Sequence, residues 1–352
     1  VRRKAVKIYE ITIKPVTGFG TPMKGDTIFG QFCWQIAYDD KLAGKSFNDL
    51  LVTYETRPFA VFSSVYPRFC VGSEYHYALK TPDLPMDALF DFPVDKRKKI
   101  EKRKDLKAKR WMIWKEKEHL PSFKGREFID DKKLGEMVYD TSTDETRKLI
   151  RRAGTRNFIS AFSQPRNTIN RLTGTTGEGR FAPFTVEQHL FYPYPETELA
   201  MFVGIDESEM SIAQVKTALE RIGSFGFGKD ASTGLGRFEV GDENEIDLAD
   251  MGSDSPNACY TLAPCVPEKD AFSEMFFAPF TRFGRHGDVL AKSANPFKNP
   301  VIMADEGAVF MPKNRNVFDN PYIGRAVTNI SKAEPRAVMQ GYSLYLPVNV
   351  EV

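Results

Sequence analysis

Five glycines fall within the fourteen residues Gly223–Gly236 (GSFGFGKDASTGLG). Glycine lets a backbone turn through positive φ and come close to a bulky ligand. Main-chain N–H groups in such a loop, around Gly226, Gly228 and Gly234, suit phosphate oxygens, and Lys229, Ser232 and Thr233 add donors. A tight structural turn is the competing reading of the glycine pattern alone. The loop is not a nucleotide-hydrolysing P-loop, because Lys229 is followed by Asp230 and the segment leaves a helix rather than opening one. It also lacks the strand-to-helix setting of a dinucleotide fold.

A second segment, Gln164–Gly174 (QPRNTINRLTG), carries Arg166 and Arg171, which can neutralise phosphates. Asn167, Thr168 and Asn170 offer directional hydrogen bonds to sugars or base edges. Arg151, Arg152 and Arg156 precede it, and Arg180, Phe181 and Phe184 follow with planar groups that stack on bases. A polar hairpin is the plainer alternative. Third, Lys24-Gly25-Asp26 opens a helix, whose free N–H groups favour an anion. Asp26 reads equally well as a plain N-cap, which leaves Lys24 as the functional candidate.

Catalysis has little support in the residue pattern. His76, His119, His189 and His286 are widely separated, with no metal or triad spacing, and no Gly-x-Ser-x-Gly, His-Glu-x-x-His or paired-carboxylate signature occurs. No catalytic residue, metal ligand or cofactor is assigned. Cys33, Cys70, Cys259 and Cys265 lack paired spacing and read as reduced thiols of a cytoplasmic protein. The basic start, Val1 to Lys4, leads into a strand with no apolar core of a signal peptide after it, and no charge-free stretch is long enough to cross a bilayer. A net charge of +2 over 352 residues means that any polyanion site is a local patch.

These segments need elements to position them. Tyr9, Ile11 and Ile13 alternate with polar residues as in a half-buried strand. Asp26 then caps a helix with Ile28, Phe29, Phe32 and Ile36 on its apolar face, and a second strand runs from Phe59 to Val65. From about 67 to 183 the pattern breaks. Within that stretch Asp95–Glu118 holds twelve Lys/Arg against five Asp/Glu and reads as a solvated helix, with Trp111 and Trp114 one turn apart. Regularity returns in the strand Leu199–Ile205. A capping box at Ser211–Gln214 then opens a helix ended by Gly223, and the strand Arg237–Val240 follows. Strand, helix, strand, insertion, strand, helix, strand is the order of a ferredoxin-like or RRM-type α+β sheet. The expected organisation is therefore residues 1–242 as this domain with an insertion at about 67–183, an acidic linker at 243–256, and a smaller β-rich, incomplete domain at 257–352. Its last strand places Tyr342, Leu344, Leu346, Val348 and Val350 on one face.

Several segments together resemble one family. Residues Gly20–Gly30 (GTPMKGDTIFG), Arg166–Arg171 (RNTINR), Phe225–Phe238 (FGFGKDASTGLGRF), Asp305–Phe310 (DEGAVF) and Gly341–Pro347 (GYSLYLP) occur in the order found in the fourth subunit of type III-A CRISPR (Csm) effector complexes, within the RAMP superfamily. The glycine loop alone points only to the superfamily, and the insertion departs from the pattern. The resemblance implies a non-catalytic subunit that grips the 5′ tag of a guide RNA. It would bridge the large polymerase-type subunit to the repeated backbone subunit, with no membrane partner. A guide-processing endoribonuclease and the capping subunit of a Cmr complex are the alternatives. Related nucleases often place a histidine near the first helix, and here none precedes His76.

Overall fold

The computed structural model describes residues 6–116, 118–154, 157–191 and 196–351. The alternation at the start builds β1 (Lys7–Pro15), and the apolar face after it builds α1 (Gly25–Tyr38). Two short helices, α2 (Asp40–Ala43) and α3 (Phe47–Tyr54), lead to β2 (Ala60–Val71), which turns back into β3 (Glu74–Lys80). Beyond them the insertion holds α4 (Met86–Leu89), α5 (Lys96–Lys107), β4 (Trp111–Lys115), β5 (Phe128–Ile129), α6 (Asp131–Thr141) and α7 (Asp144–Ala153). It closes with a ribbon of β6 (Ile159–Arg166) and β7 (Phe184–Phe191), after which β8 (Glu198–Ile205), α8 (Ile212–Phe225) and β9 (Phe238–Ile246) complete the unit.

The seven-stranded sheet runs β5-β4-β3-β2-β8-β1-β9, every neighbour antiparallel. Its β2-β8-β1-β9 part is the ferredoxin-like order: two strand-helix-strand units with the second pair inserted beside the first. α1 and α8 pack on one face of it. The insertion does more than interrupt. It prolongs β2 past Pro67 and adds β3, β4 and β5 to the edge, and it lays Leu134 and Val138 of α6 into the main core. β1 is therefore buried on both faces rather than one. Glu10 lies under this cover, accepting from the Tyr77 hydroxyl at 3.0 Å and pairing with Arg68 at 3.1 Å.

Three local expectations are corrected. The basic run is helical only to Lys107, and Trp114 is a fully buried strand residue whose indole N–H donates to the Glu118 carbonyl at 2.8 Å. Interior packing on Tyr77 and Phe202 outweighs the helical spacing of the two tryptophans. Asp26 does not cap α1. Lys24 occupies the cap position without a side-chain bond, and Asp26, in the first turn, receives a bidentate guanidinium from Arg282 at 2.7 and 2.9 Å. Gly223 does not end α8, which continues to Phe225 behind the expected Ser211–Gln214 capping box.

Strand β9 also carries the chain to Ile246, pairing Glu243 and Glu245 with Ile11 and Tyr9 before the loop to the second lobe. That lobe is a five-stranded antiparallel sheet, β11-β14-β10-β16-β15, made of β10 (Ala258–Thr261), β11 (Phe272–Phe276), β14 (Val309–Pro312), β15 (Tyr322–Gly324) and β16 (Tyr342–Val348). A small ribbon of β12 (Pro279–Arg282) and β13 (Val301–Ala304) stands beside it. No α-helix occurs after Phe225 among the described residues. β16 alternates as expected, but both its faces are buried. Tyr342, Leu344 and Leu346 enter the main core, whereas Tyr345 joins Cys259, Cys265 and Phe310 in a second one. The lobes are sewn together by Gln340, whose amide donates to the Phe62 carbonyl at 2.7 Å and accepts from its N–H at 2.9 Å. All four cysteines are free thiols. No helix is long and apolar enough to cross a membrane among the described residues.

Candidate nucleic-acid interface

The turn after β1 is the hub of the site. Phe19 exchanges two backbone hydrogen bonds with His189 of β7, at 2.9 and 2.8 Å, which pins the ribbon to the turn. Phe19, Phe191 and Phe158 stack edge-on beneath this joint. On its other side, Gly236 N–H donates to the Gly18 carbonyl at 2.7 Å and Lys229 N–H to the Thr21 hydroxyl at 2.9 Å. The approach is close enough that a Cβ on Gly20 would lie 2.8 Å from the Lys229 carbonyl oxygen. One on Gly228, at φ +76°, would lie 2.6 Å from Thr21 Cβ. The glycines serve this backbone-to-backbone packing, and Asp230 adds a non-glycine left-handed residue at φ 61°.

Two of the sequence candidates meet directly. Arg166, the last residue of β6, donates from Nη1 to the Thr233 hydroxyl at 2.9 Å. That hydroxyl donates in turn to the Asp230 carbonyl at 2.8 Å, so its remaining lone pair receives the guanidinium. Arg166 thus ties the ribbon to the glycine loop. Lys229 and Ser232 stay exposed beside it, whereas Gly226 is buried and Gly228 and Gly234 are half-buried. Part of the loop's main chain is already engaged. The N–H groups of Gly226, Phe227, Lys229, Thr233, Gly234, Leu235 and Gly236 all have internal acceptors, which narrows the donors left for a ligand to the side chains and the N–H groups of Gly228, Asp230, Ala231 and Ser232.

At the ribbon tip, Asn167, Thr168 and Arg171 are exposed and make no side-chain hydrogen bond or ion pair to another described residue. Asn170 is half-buried and organises the turn. Its Oδ1 accepts from Leu172 N–H at 3.0 Å, which leaves its amide NH2 for a ligand. Arg151 and Arg152 end α7 in solvent; Arg156 and the side chain of Arg180 lie outside the described residues. The structure adds exposed apolar groups that the sequence reading missed: Phe162, Ile169 and Leu172 on the ribbon, and Phe225 at the mouth of the glycine loop, 73% exposed. The available signal was a large apolar residue within an otherwise polar turn segment.

Lys24 does not join this group. Its ammonium pairs with Asp305 and, at 3.0 Å, with Glu306, and it stands 5.1 Å over the Phe280 ring. Lys80 reaches Asp305 at 3.4 Å and Asp83 at 3.6 Å, closing a cluster between α1 and the second lobe. Burial pushes the Glu306 carboxyl up to about 7, with Asp305 alongside adding to the shift. Burial works the same way on Asp305, but hydrogen bonds from Glu306 and Lys24 override it and hold that carboxyl at about 2. Burial acts against the Lys24 charge, yet the two carboxylates keep its pKa above the ordinary lysine value. Lys24 is a structural cation paired with Asp305 and Glu306, not a free ammonium for a phosphate.

Two of the histidines are buried. Burial lowers the pKa of His76 in β3, whose Nδ1 has no partner among the described residues. His286 is buried against the Ser331 hydroxyl at 2.6 Å. No group of three or more His, Cys, Asp or Glu residues could hold a metal among the described residues.

No family model matches the chain, and no curated protein matches it by sequence. Solved structures do. A chain of the Csm1-Csm4 cassette in complex with cA4 aligns over 98% of this chain and 98% of its own length, at 15% identity and a TM-score of 0.52. A chain of the Csm3-Csm4 subcomplex in the type III-A CRISPR-Cas interference complex aligns over 97% and 99%, at 13% identity and a TM-score of 0.51. Csm4 is the component the two assemblies share. The fold is that of Csm4. In this Csm4 fold, the turn Val16–Pro22, the ribbon and the glycine loop share one end of the sheet. The Lys24 cluster holds the second lobe on α1.

Proposed function

We propose that this chain is a Csm4-type, non-catalytic subunit of a type III-A effector that binds the 5′ tag of a guide RNA. The observation that carries the reading is the contact between Arg166 and Thr233, which joins the two candidate RNA-binding segments into one surface. A single-stranded tag leaves its bases open and its phosphates accessible. Lys229, Ser232 and the guanidinium of Arg171 take phosphate oxygens. Asn167, Thr168 and the amide of Asn170 supply directional contacts. Phe184 and Phe225 offer faces for stacking, an interaction of about 1–3 kcal/mol per base. Arg166 stiffens the joint and presents its remaining N–H groups toward the same ligand.

The likeness to chains found with Csm1 and with Csm3 supports a place between a large polymerase-type subunit and the repeated backbone subunit. In this reading the chain anchors RNA and breaks no bond. The test is a triple substitution, Arg166→Ala, Asn170→Ala and Arg171→Ala, in the full-length protein. Tag-bearing RNA, measured at fixed salt, is expected to bind at least tenfold more weakly, while thermal unfolding shifts little because the bonds of Arg166 and Asn170 are solvent-exposed and Arg171 makes none to a described residue. Equal affinity for RNAs with and without the tag, unchanged in the variant, refutes the assignment. Metal-independent cleavage of repeat RNA, lost on His76→Ala or His189→Ala, would instead make the chain a nuclease.

A further inference from the structure

The insertion helix α5 holds eight Lys/Arg and two acidic residues in twelve positions. Its only buried residue is Leu106, so apolar packing does little to hold it. Several contacts with the preceding segment together orient it instead. Asp87 pairs with Lys99 at 3.6 Å and Arg103 at 3.3 Å, Lys102 donates to the Asp91 carbonyl at 2.7 Å, and Lys99 and Arg103 lie over Phe92. The Asp95 side chain caps the N-terminus through Lys98 N–H at 2.9 Å. These bonds turn one face of α5 inward.

The opposite sector carries Lys96, Arg97, Lys104 and Lys107 around Ile100, which is 59% exposed. Lys96, Lys104 and Lys107 have no ion pair with another described residue. Arg97 has only a solvent-exposed pair with Glu101 at 3.6 Å, the kind worth little in water. The stripe is about 16 Å long at 1.5 Å rise per residue. It is also remote from the tag surface. β3 lies three strands from β1 in the sheet, and α5 feeds in at the Lys80–Trp111 end of the β3–β4 pair, away from the Val71–Glu74 turn.

We propose that this outward face of α5 is a second RNA site, a sequence-independent contact for the phosphodiester backbone of a single strand. A protein partner fits the face poorly. Protein interfaces are depleted in lysine and centred on apolar or aromatic residues, whereas nucleic-acid interfaces are strongly basic. Here three of the four cations are lysines, and the sector's single large apolar residue is Ile100. The site extends the RNA-binding reading without depending on the tag.

The probe is an unstructured RNA of about 20 nucleotides with no tag, titrated against the full-length chain from roughly 50 to 300 mM salt. Removing the cation that neutralises one phosphate should lower the slope of log K against log salt by about 0.7. The variant Lys96→Gln, Arg97→Gln, Lys104→Gln, Lys107→Gln should therefore lose about 2.8 in slope, or on the order of 100-fold in affinity near 0.15 M salt. Replacing the three lysines by arginine should preserve both. In the unaltered protein, bound RNA should protect Lys96, Lys104 and Lys107, but not the distant Lys45, from acetylation, a readout that survives any folding defect in the variants. An unchanged slope without protection overturns the proposal. So does loss of co-purification with an acidic protein partner while RNA affinity holds, which would make the face a protein-binding one. Failure of the tag reading shows up separately, in the triple variant at Arg166, Asn170 and Arg171.

Discussion

Replacing Glu306 by glutamine should make the protein more stable at pH 8, although it removes a charge that faces a lysine. Glu306 lies largely covered beside Asp305, its side chain 16% exposed, with Lys24 at 3.0 Å and the Ser64 hydroxyl donating to it at 3.3 Å. Its carboxyl is raised from an ordinary 4.5 to about 7, burial being the largest cause. A carboxyl raised on folding binds its proton more tightly in the native state. Its stabilising contribution is complete below the unfolded value of 4.5 and is lost as pH rises through about 7. A difference of two and a half pKa units corresponds to about 3 kcal/mol lost by pH 8, and less than about 1 kcal/mol at pH 5. Glutamine keeps the size and the hydrogen-bonding capacity and does not titrate. Asp83, also raised mainly by burial, tilts both proteins alike and cancels in their difference. Urea unfolding of both proteins at pH 5, 6, 7 and 8 would measure it. The variant should match the parent within about 1 kcal/mol at pH 5 and exceed it by about 3 kcal/mol at pH 8. Parallel stability curves, or a variant weaker at pH 8, would refute the account, because Glu306 would then be an ordinary ionised partner of Lys24.

Two further substitutions probe how the scaffold is held. Asp26→Ala strands Arg282 and should destabilise the protein by about 3 kcal/mol, at the low end for breaking a buried pair, since the Arg282 side chain is 22% exposed and can turn to water; chemical denaturation measures it. Gly223→Ala places a methyl 2.2 Å from the Phe238 carbonyl oxygen, so the gain of about 1 kcal/mol in helix propensity is outweighed, and a net loss of about 2 kcal/mol is expected by the same measurement.

Much of the fold could be read locally. β1, α1, β8, α8 with its capping box, and β16 follow from apolar periodicity and cap chemistry within windows of about ten residues. The close backbone approach at the glycine loop could be read from its composition for the same reason. Where the reading failed, an interaction from far along the chain decided the outcome. Asp26 reads as a cap until Arg282 arrives to bind it, and Lys24 reads as an anion ligand until Asp305 and Glu306 neutralise it. Trp111 and Trp114 have helical spacing, yet β3 offers a strand edge and a core to bury the second ring.

The chain by itself determined most strands and helices outside the insertion and which residue types could hold RNA, because those properties reside in side-chain chemistry and short-range pattern. Only the tertiary structure decided which candidates lie together. It brought Thr233 to Arg166 from 67 residues away and took Lys24 out of the site through a partner 281 residues away. Pairing at such separations is set by sheet order and lobe docking. No local pattern encodes it.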